Sequence, residues 1–521
     1  MIRAVWSALR SPDYRREMRN YVKWVVRNRK IMPALRQALR GLRERPKYPA
    51  VPRAEGDAEL AIRKHRFEWP DRERFAGSEA DCLAMADVMV KWIRDNPPGG
   101  PGWDAYSASR RVSNWIIILS ALEAFGDGYR PLRTVNESLD GHARFIRAHL
   151  ERRGAATNNH LLANGAALYA AGAHLKNDPF LGDGREILQE CMKTLFTEEG
   201  FLREGSSHYH LIACRNLIET LANARSAGDA VFTEEVNKRL LDALACIHFI
   251  IDQGYFHLFG DLSPDIDPAP LLSFIASMFP LSAIDRGSIA GISGAGLYRA
   301  RNRDWSVFLN AHPEGFVPPG SHGHDDLLGF WLHHKGEPVL ADAGRSTYAA
   351  SPLGRWGRSV RAHNSLSIDG LGPSLVHAHN AHLPLLLAEY YTRPPEVGAK
   401  AEGAFTALMV RAAGFRRLHP PADVTRYIFL GHDRTVVEDR LDGTGRHDVE
   451  WYFHFHPRID GEYRIEGPEG AEKIAARGLG GRDPMGWFSC RYGHAVPSTQ
   501  VRFRERLDLP STRRFEVKAN E

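Results

Sequence analysis

Long apolar runs are missing from this chain of 521 residues: no stretch of eighteen or more apolar residues occurs, which argues against a membrane-spanning helix. Cysteine is scarce. Cys82, Cys191, Cys214, Cys246 and Cys490 are scattered, odd in number and without metal-ligand spacing. They are expected to be buried thiols in a reducing compartment, not a disulfide framework. The N-terminus, MIRAVWSALRSPDYRREMRNY, has no continuous apolar core and no small-residue cleavage site, so it does not read as a secretory signal. A cytoplasmic protein is expected, with the periplasm as the alternative. Internal repeats, low-complexity tracts and nucleic-acid-binding motifs are also lacking, and no nucleic-acid partner is expected.

What is present describes an ordinary globular protein, 43% hydrophobic and 25% charged, too long for a single core. Its charge is uneven. Residues 1–50 hold fourteen Lys or Arg against three acidic residues, whereas the whole chain is only +5, so the remainder is net acidic. Trp6, Tyr21 and Trp24 interleave with these cations. Such a basic helical arm suits a membrane-surface or polyanion contact, or else forms a solvated extension packed on the main body.

The periodicity divides the chain into three parts. Residues 1–75 read as the basic helical arm and a Pro-rich linker. Residues 76–288 carry helical patterns such as ADCLAMADVMVKWIRD, HLLANGAALYAAGAHL and NKRLLDALACIHFIID, which close most simply into a helical bundle or α/α toroid. Residues 289–521 carry short β-branched and aromatic segments separated by turn residues, among them WSVFLNA, EPVLADAG, RTVVEDRL and VEWYFHFH. These predict an antiparallel β-sandwich, with a hairpin turn at His333–Pro338. Helices first and strands second make an α+β multidomain chain.

Two polar constellations carry the chemistry. His322-Gly323-His324-Asp325-Asp326 lies in a segment that reads as a strand, so both imidazoles would share a face. With Asp342 and His363, His324 makes a His/Asp/His set of the kind zinc accepts, and His322 is left for substrate. Far upstream, Asn159 and His160 open a helix, where free N–H groups favour an anion. Ser206 or Ser207 caps another helix with Tyr209 in its first turn, and neighbouring His208 and His210 would lower its phenol pKa. Singly, each feature has a bland explanation: N-capping, a surface histidine, or a half-buried tyrosine with its hydroxyl satisfied.

Taken together, the motifs Asn158-Asn159-His160, Glu204-Gly-Ser-Ser-His-Tyr209-His210, Gly260-Asp261, His322-Gly-His324-Asp-Asp, Asp342-Ala-Gly-Arg-Ser-Thr-Tyr348 and His363-Asn-Ser-Leu-Ser-Ile-Asp369-Gly370 carry a resemblance. The chain resembles the heparinase II/III-like polysaccharide lyases, the family of heparinases and oligo-alginate lyases, over about residues 75–460. The resemblance implies an incomplete α/α toroid followed by an antiparallel β-sandwich, with a cleft between them. It also implies β-elimination at a uronic acid in an anionic polysaccharide or oligosaccharide. Asn159, His160 and His322 would neutralise the uronate carboxylate. Tyr209 would act as general acid, and His160 or Tyr209 as base. Structural zinc would sit on His324, Asp342 and His363. Glu204, His210, Asp261 and Tyr348 would line the substrate site. The charged N-terminus departs from exported members, which suggests a bacterial protein acting on a surface polysaccharide or its intracellular fragments. Three rival readings remain: a non-catalytic glycan-binding or polysaccharide-assembly protein on the same scaffold, a metal-dependent hydrolase, and a glycoside hydrolase using Glu204 and Asp261.

Overall fold

Apolar residues spaced three and four apart fold the first part of the chain into helices. The structure, a computed structural model, describes residues 57–68, 79–125, 132–154, 157–279, 289–312, 322–374, 395–402, 405–459 and 461–520. The basic arm at 1–50 therefore lies outside the described residues. Helices α1 (Ala58–Arg63), α2 (Glu79–Asp95), α3 (Ala105–Phe125), α4 (Leu132–Ala148), α5 (Asn159–Leu175), α6 (Asp178–Thr194), α7 (Ser207–Ser226), α8 (Ala230–Ile250) and α9 (Pro268–Met278) follow in order. The helical patterns mark six of the seven long helices from α2 to α8, several of them only from the second turn onward. Helix α4 was missed, although Val135, Leu139, Ala143 and Ile146 form its fully buried stripe.

Helix α5 is the central element, buried almost throughout from Leu161 to Gly172. It packs against α3, α4, α6 and α7. Its approach to α6 is so close that a Cβ on Gly184 would stand 2.3 Å from the Tyr169 nitrogen. Only glycine permits that contact.

Strands replace helices after α8. The short hairpin β1 (Ile251–Asp252) and β2 (Tyr255–Phe256) precedes α9. A five-stranded antiparallel sheet then runs in the order β3 (Ile289–Ile292), β4 (Leu297–Arg301), β5 (Trp305–Asn310), β6 (Phe330–His334) and β7 (Glu337–Leu340). The β6–β7 turn falls at the expected place, with Lys335 at φ 51° and Gly336 at φ 86°, the left-handed pair of a two-residue hairpin turn. The larger sheet is built on β9 (Arg434–His454), whose neighbours are β8 (Ala422–Leu430) and the C-terminal strand Thr499–Ala519. RTVVEDRL and VEWYFHFH, read as two strands, are thus one strand of 21 residues. Its register against the C-terminal strand shifts between Leu441 and Gly445, where turn-like composition suggested a break.

The two sheets share one apolar core, with Leu309 and Leu332 from the first meeting Trp451 and Phe515 from the second. Inside it, Arg426 and Asp439 form an ion pair with neither side chain exposed. Arg426 also donates to the carbonyls of Leu328 and Asn364, which ties the segments after His322 and His363 to the sheet. A third apolar cluster joins helices to strands: Phe201, Phe249, Phe259 and Leu262 pack with Phe308, Trp331 and Phe488. Four cysteines are buried as expected, but Cys490 is exposed.

Burial of histidine is a recurring feature of this fold. It pushes the imidazoles of His142, His208 and His454 down to about 3, and lowers His257 and His333 at the seam as well. In the unfolded chain these groups titrate near ~6.5. Acid therefore favours the unfolded state, which binds more protons. The melting temperature should hold steady above about pH 6.5 and fall progressively towards about pH 3. A thermal series by circular dichroism checks this; an unchanged midpoint between pH 7 and pH 5 would refute it.

Candidate active site

Both polar constellations meet on the seam, held by capping and by one carboxylate. Asn158 caps α5, its side chain accepting from the His160 backbone N–H at 3.1 Å. The Asn159 backbone N–H donates to the Glu204 carboxylate at 2.5 Å. The Asn159 side chain is fully buried, and neither amide atom has a hydrogen-bond partner among the described residues. An amide stored this way is costly unless something it binds arrives. His160 turns outward, its side chain 27% exposed, with Nδ1 2.9 Å from Glu151. Its ring stacks on Tyr106 at 4.3 Å.

Ser206 caps α7 by accepting from the Tyr209 backbone N–H at 3.2 Å, so Tyr209 sits in the first turn, as expected. The Ser206 hydroxyl itself donates to the Asp261 carbonyl at 2.7 Å. Tyr348 gives its hydroxyl proton to the Leu262 carbonyl and stands 3.0 Å from the Tyr209 oxygen, so Tyr209 is the donor between the two phenols. His322 lies flat on the Tyr209 ring, centroids 3.3 Å apart at an angle of 9°. The helical and sheet contributions therefore share one site.

Asp261 joins them. Its carboxylate accepts from His322 Nδ1 at 3.1 Å, from His324 Nε2 at 2.8 Å and from Arg345 at 2.7 Å. Burial alone would raise this carboxyl; the Arg345 guanidinium and the two ring donors outweigh it and hold it well below the usual range. Gly260 makes the approach possible, with φ +67° and space for no Cβ, which would meet the Gly205 and His322 carbonyls at 2.1 and 2.7 Å. His322 and His324 are not on a strand, as the pattern suggested. They lie on a loop pinned at both ends of His322, its N–H to the Glu204 carbonyl and its carbonyl to the Asp261 N–H. They share a direction because one carboxylate captures both.

The phenol reading is corrected. Burial pushes the Tyr209 hydroxyl well above its ordinary value instead of lowering it. Residues adjacent in a helix do not face one another. His208 accepts from the Ser263 N–H, and His210 is a core histidine. Fully buried, His210 uses Nδ1 on the Leu202 N–H and Nε2 on the Ala243 carbonyl, so it does not reach substrate. Glu204 and Asp261 are also buried and act from beneath the site. Tyr348 is half-buried at its edge, with the Arg345 guanidinium 4.8 Å from its ring centroid.

Among the described residues, Asp326, Asp342 and His363 offer donor atoms within 4.8 Å of one another, all three residues buried. His363 Nδ1 is 2.6 Å from Asp342. His324 stands beside them, its ring 5.3 Å from that of His363, but its Nε2 is taken by Asp261. His324 Nδ1, His363 Nε2 and Asp326 Oδ2 are buried without partners. Asp342 and His363 are thus brought together as expected, and Asp326 joins them where His324 was expected. Sequence reasoning also missed Glu151, Tyr106 and Arg345; of these only Arg345 fell inside a quoted motif.

Comparison with known proteins places this geometry in context. Residues 286–517 match the family model described as heparinase II/III-like, C-terminal. A heparin-sulfate lyase of Bacteroides thetaiotaomicron is 24% identical over 364 residues, which is 58% of this chain and 51% of that protein. The chain therefore spans about half the length of this relative. The crystal structure of heparinase III superposes with a TM-score of 0.69 at 16% identity, covering 90% of this chain and 78% of the other. A heparan sulfate lyase from Pedobacter heparinus gives a TM-score of 0.57 at 17% identity, with 91% and 77% covered. These likenesses fix the fold.

Asp261 and Arg345 are each about 5% exposed, so removing one charge strands the other. Asp261→Asn should lower the unfolding free energy by about 3–5 kcal/mol in urea titrations, and Asp261→Asn with Arg345→Met should recover part of it. A single variant within about 0.5 kcal/mol of wild type would contradict the role given to this carboxylate.

Proposed function

We propose that this chain, whose residues 286–517 match the heparinase II/III-like family model, is a polysaccharide lyase cleaving a uronic-acid-containing polymer or oligomer by β-elimination. The stack of Tyr209 from the helices on His322 from the sheet loop carries the reading. The helix pairs are read as an incomplete α/α toroid and the paired sheets as a β-sandwich.

The proton α to a uronate carboxylate is weakly acidic, and its loss becomes feasible only when the carboxylate charge is offset and the developing enolate is held by donors. In this proposal Asn159, His160 and His322 supply those donors. A base removes the α proton, the bond from the β carbon to the glycosidic oxygen breaks, and that oxygen leaves with the electron pair. Tyr209 protonates it. A phenol whose hydroxyl burial holds protonated suits that donor role. His160 and Tyr209 are the two candidates for the base, according to substrate stereochemistry. The products are an unsaturated uronate end and a new reducing end. The relatives named above point to heparin- and heparan-type chains as the first polymers to test. The proposal extends to residues 1–50 as a contact for anionic surfaces, on their excess of cations.

Zinc belongs to the same proposal. Buried nitrogen and oxygen donors with orphaned lone pairs fit a hard-to-borderline cation. Asp342 and His363 would hold it, with Asp326 or His324 Nδ1 completing the set. When bound, the ion would fix the loop beneath His322 and take no part in proton transfer.

Two outcomes are expected. Wild-type protein should generate ultraviolet-absorbing unsaturated uronate from at least one polymer in a panel of uronates, and Tyr209→Phe should lose about 10²–10⁴-fold in kcat. Full activity in Tyr209→Phe would remove the phenol from the chemistry. Zinc should raise the melting temperature of chelator-treated protein, with His363→Ala insensitive; equal shifts in both would place any bound zinc elsewhere.

A further inference from the structure

We propose that Glu151 is a positioning residue that keeps His160 an imidazolium, so that His160 offsets the substrate carboxylate and does not serve as the base. The inference rests on the lyase reading and deepens it.

Glu151 lies in the segment between α4 and α5, outside every motif described above. Its place is set by its own backbone N–H, which donates to the Asn164 side chain at 3.0 Å on α5. Its Oε1 accepts from His160 Nδ1 at 2.9 Å and from Arg153 at 2.7 Å, while Oε2 is buried with no partner among the described residues. The imidazole is therefore gripped at its rear nitrogen by a carboxylate that is only 14% exposed. No described residue bonds its other nitrogen, Nε2, and the side chain is partly open. Tyr106 backs one ring face, and Tyr106 is itself fixed by donating to Asp265 at 3.2 Å. An aromatic face against a charged imidazolium is a favourable contact.

The groups facing His160 are Glu151, Arg153, Glu204 and Tyr106. Burial and Arg153 disfavour the cation; Glu151, by charge and hydrogen bond, and Glu204 outweigh them, so the pKa is raised. A protonated Nε2–H beside the N-terminus of α5 is a donor aimed where an anion is favoured. A protonated imidazole cannot take the α proton, so His160 drops out of the base role.

The direction of a pH shift separates the two roles. If His160 must be charged, activity falls as pH rises through its pKa, so Glu151→Gln should move the alkaline limb of kcat/KM to lower pH. Glu151→Asp should restore part of the shift. If His160 were the base, Glu151→Gln would instead move the acid limb to lower pH, and the proposal would be wrong. Histidine NMR titration of the substrate-free protein, with the His160 signal assigned through His160→Asn, gives a readout independent of turnover. The His160 pKa should fall in Glu151→Gln; an unchanged titration overturns the proposal even if no polymer is cleaved. Absence of turnover with a normal His160 shift would count against the lyase reading alone.

Discussion

The Asp261 carboxylate is where helices and sheets are tied electrostatically. It sits on the segment following β2, receives Arg345 and two imidazoles from the sheet side, and has its carbonyl held by Ser206 at the head of α7. Full burial would ordinarily neutralise such a group; three charge-assisted donors keep it ionised. This single group orients His322, spends one nitrogen of His324, and fixes the register between Tyr209 and its stacked partner. Gly260 is the backbone concession that lets two loops approach this closely.

A second electrostatic layer supports the helical side. Arg66, Arg110 and Arg215 pair with Asp265, Glu68 and Glu219, every one of these side chains less than 10% exposed. Buried ion pairs of this kind add little net stability compared with apolar replacements. What they add here is position. Asp265 takes two bonds from Arg66 and one from Tyr106, and Tyr106 is the surface on which His160 rests. The seam thus uses charge to place rings and apolar packing of Phe259, Leu262, Phe308 and Trp331 to hold the halves together.

How much of this was legible depended on the range of the interaction. Local signals read well. Asn158 and Ser206 cap α5 and α7 because short polar side chains satisfy free N–H groups two or three residues on. Lys335-Gly336 turns the β6–β7 hairpin because both residues adopt positive φ. Relations across the fold read poorly. Nothing in the spacing announces that Glu151 faces His160, since the contact depends on how the α4–α5 segment returns. His208 and His210 flank Tyr209 in the chain but point away from its hydroxyl, because successive helical positions differ by about 100°. The strand reading of His322 and His324 reached the right outcome for the wrong reason: alternation predicts a shared face, whereas a buried carboxylate produces one. Helix α4 shows a third kind of miss, a clear stripe diluted by polar residues on its other face.

The charge states around the site also bear on the rival chemistries. A glycoside hydrolase needs two carboxyl groups facing the substrate, one of them protonated. The two candidates, Glu204 and Asp261, are buried beneath the site; Asp261 is committed to Arg345 and the imidazoles, and Glu204 accepts from the Asn159 backbone. A hydrolytic metal needs an open position for water. Asp326, Asp342 and His363 are all buried, under a loop whose half-buried His322 faces the other way, against Tyr209. Among the described residues, what the site does present is a protonated phenol, an imidazole raised by its carboxylate partner and, just beneath them, an amide with neither atom bonded. Donors with no free carboxylate among them are suited to receiving an anion and returning a proton, which is the demand that β-elimination at a uronate makes.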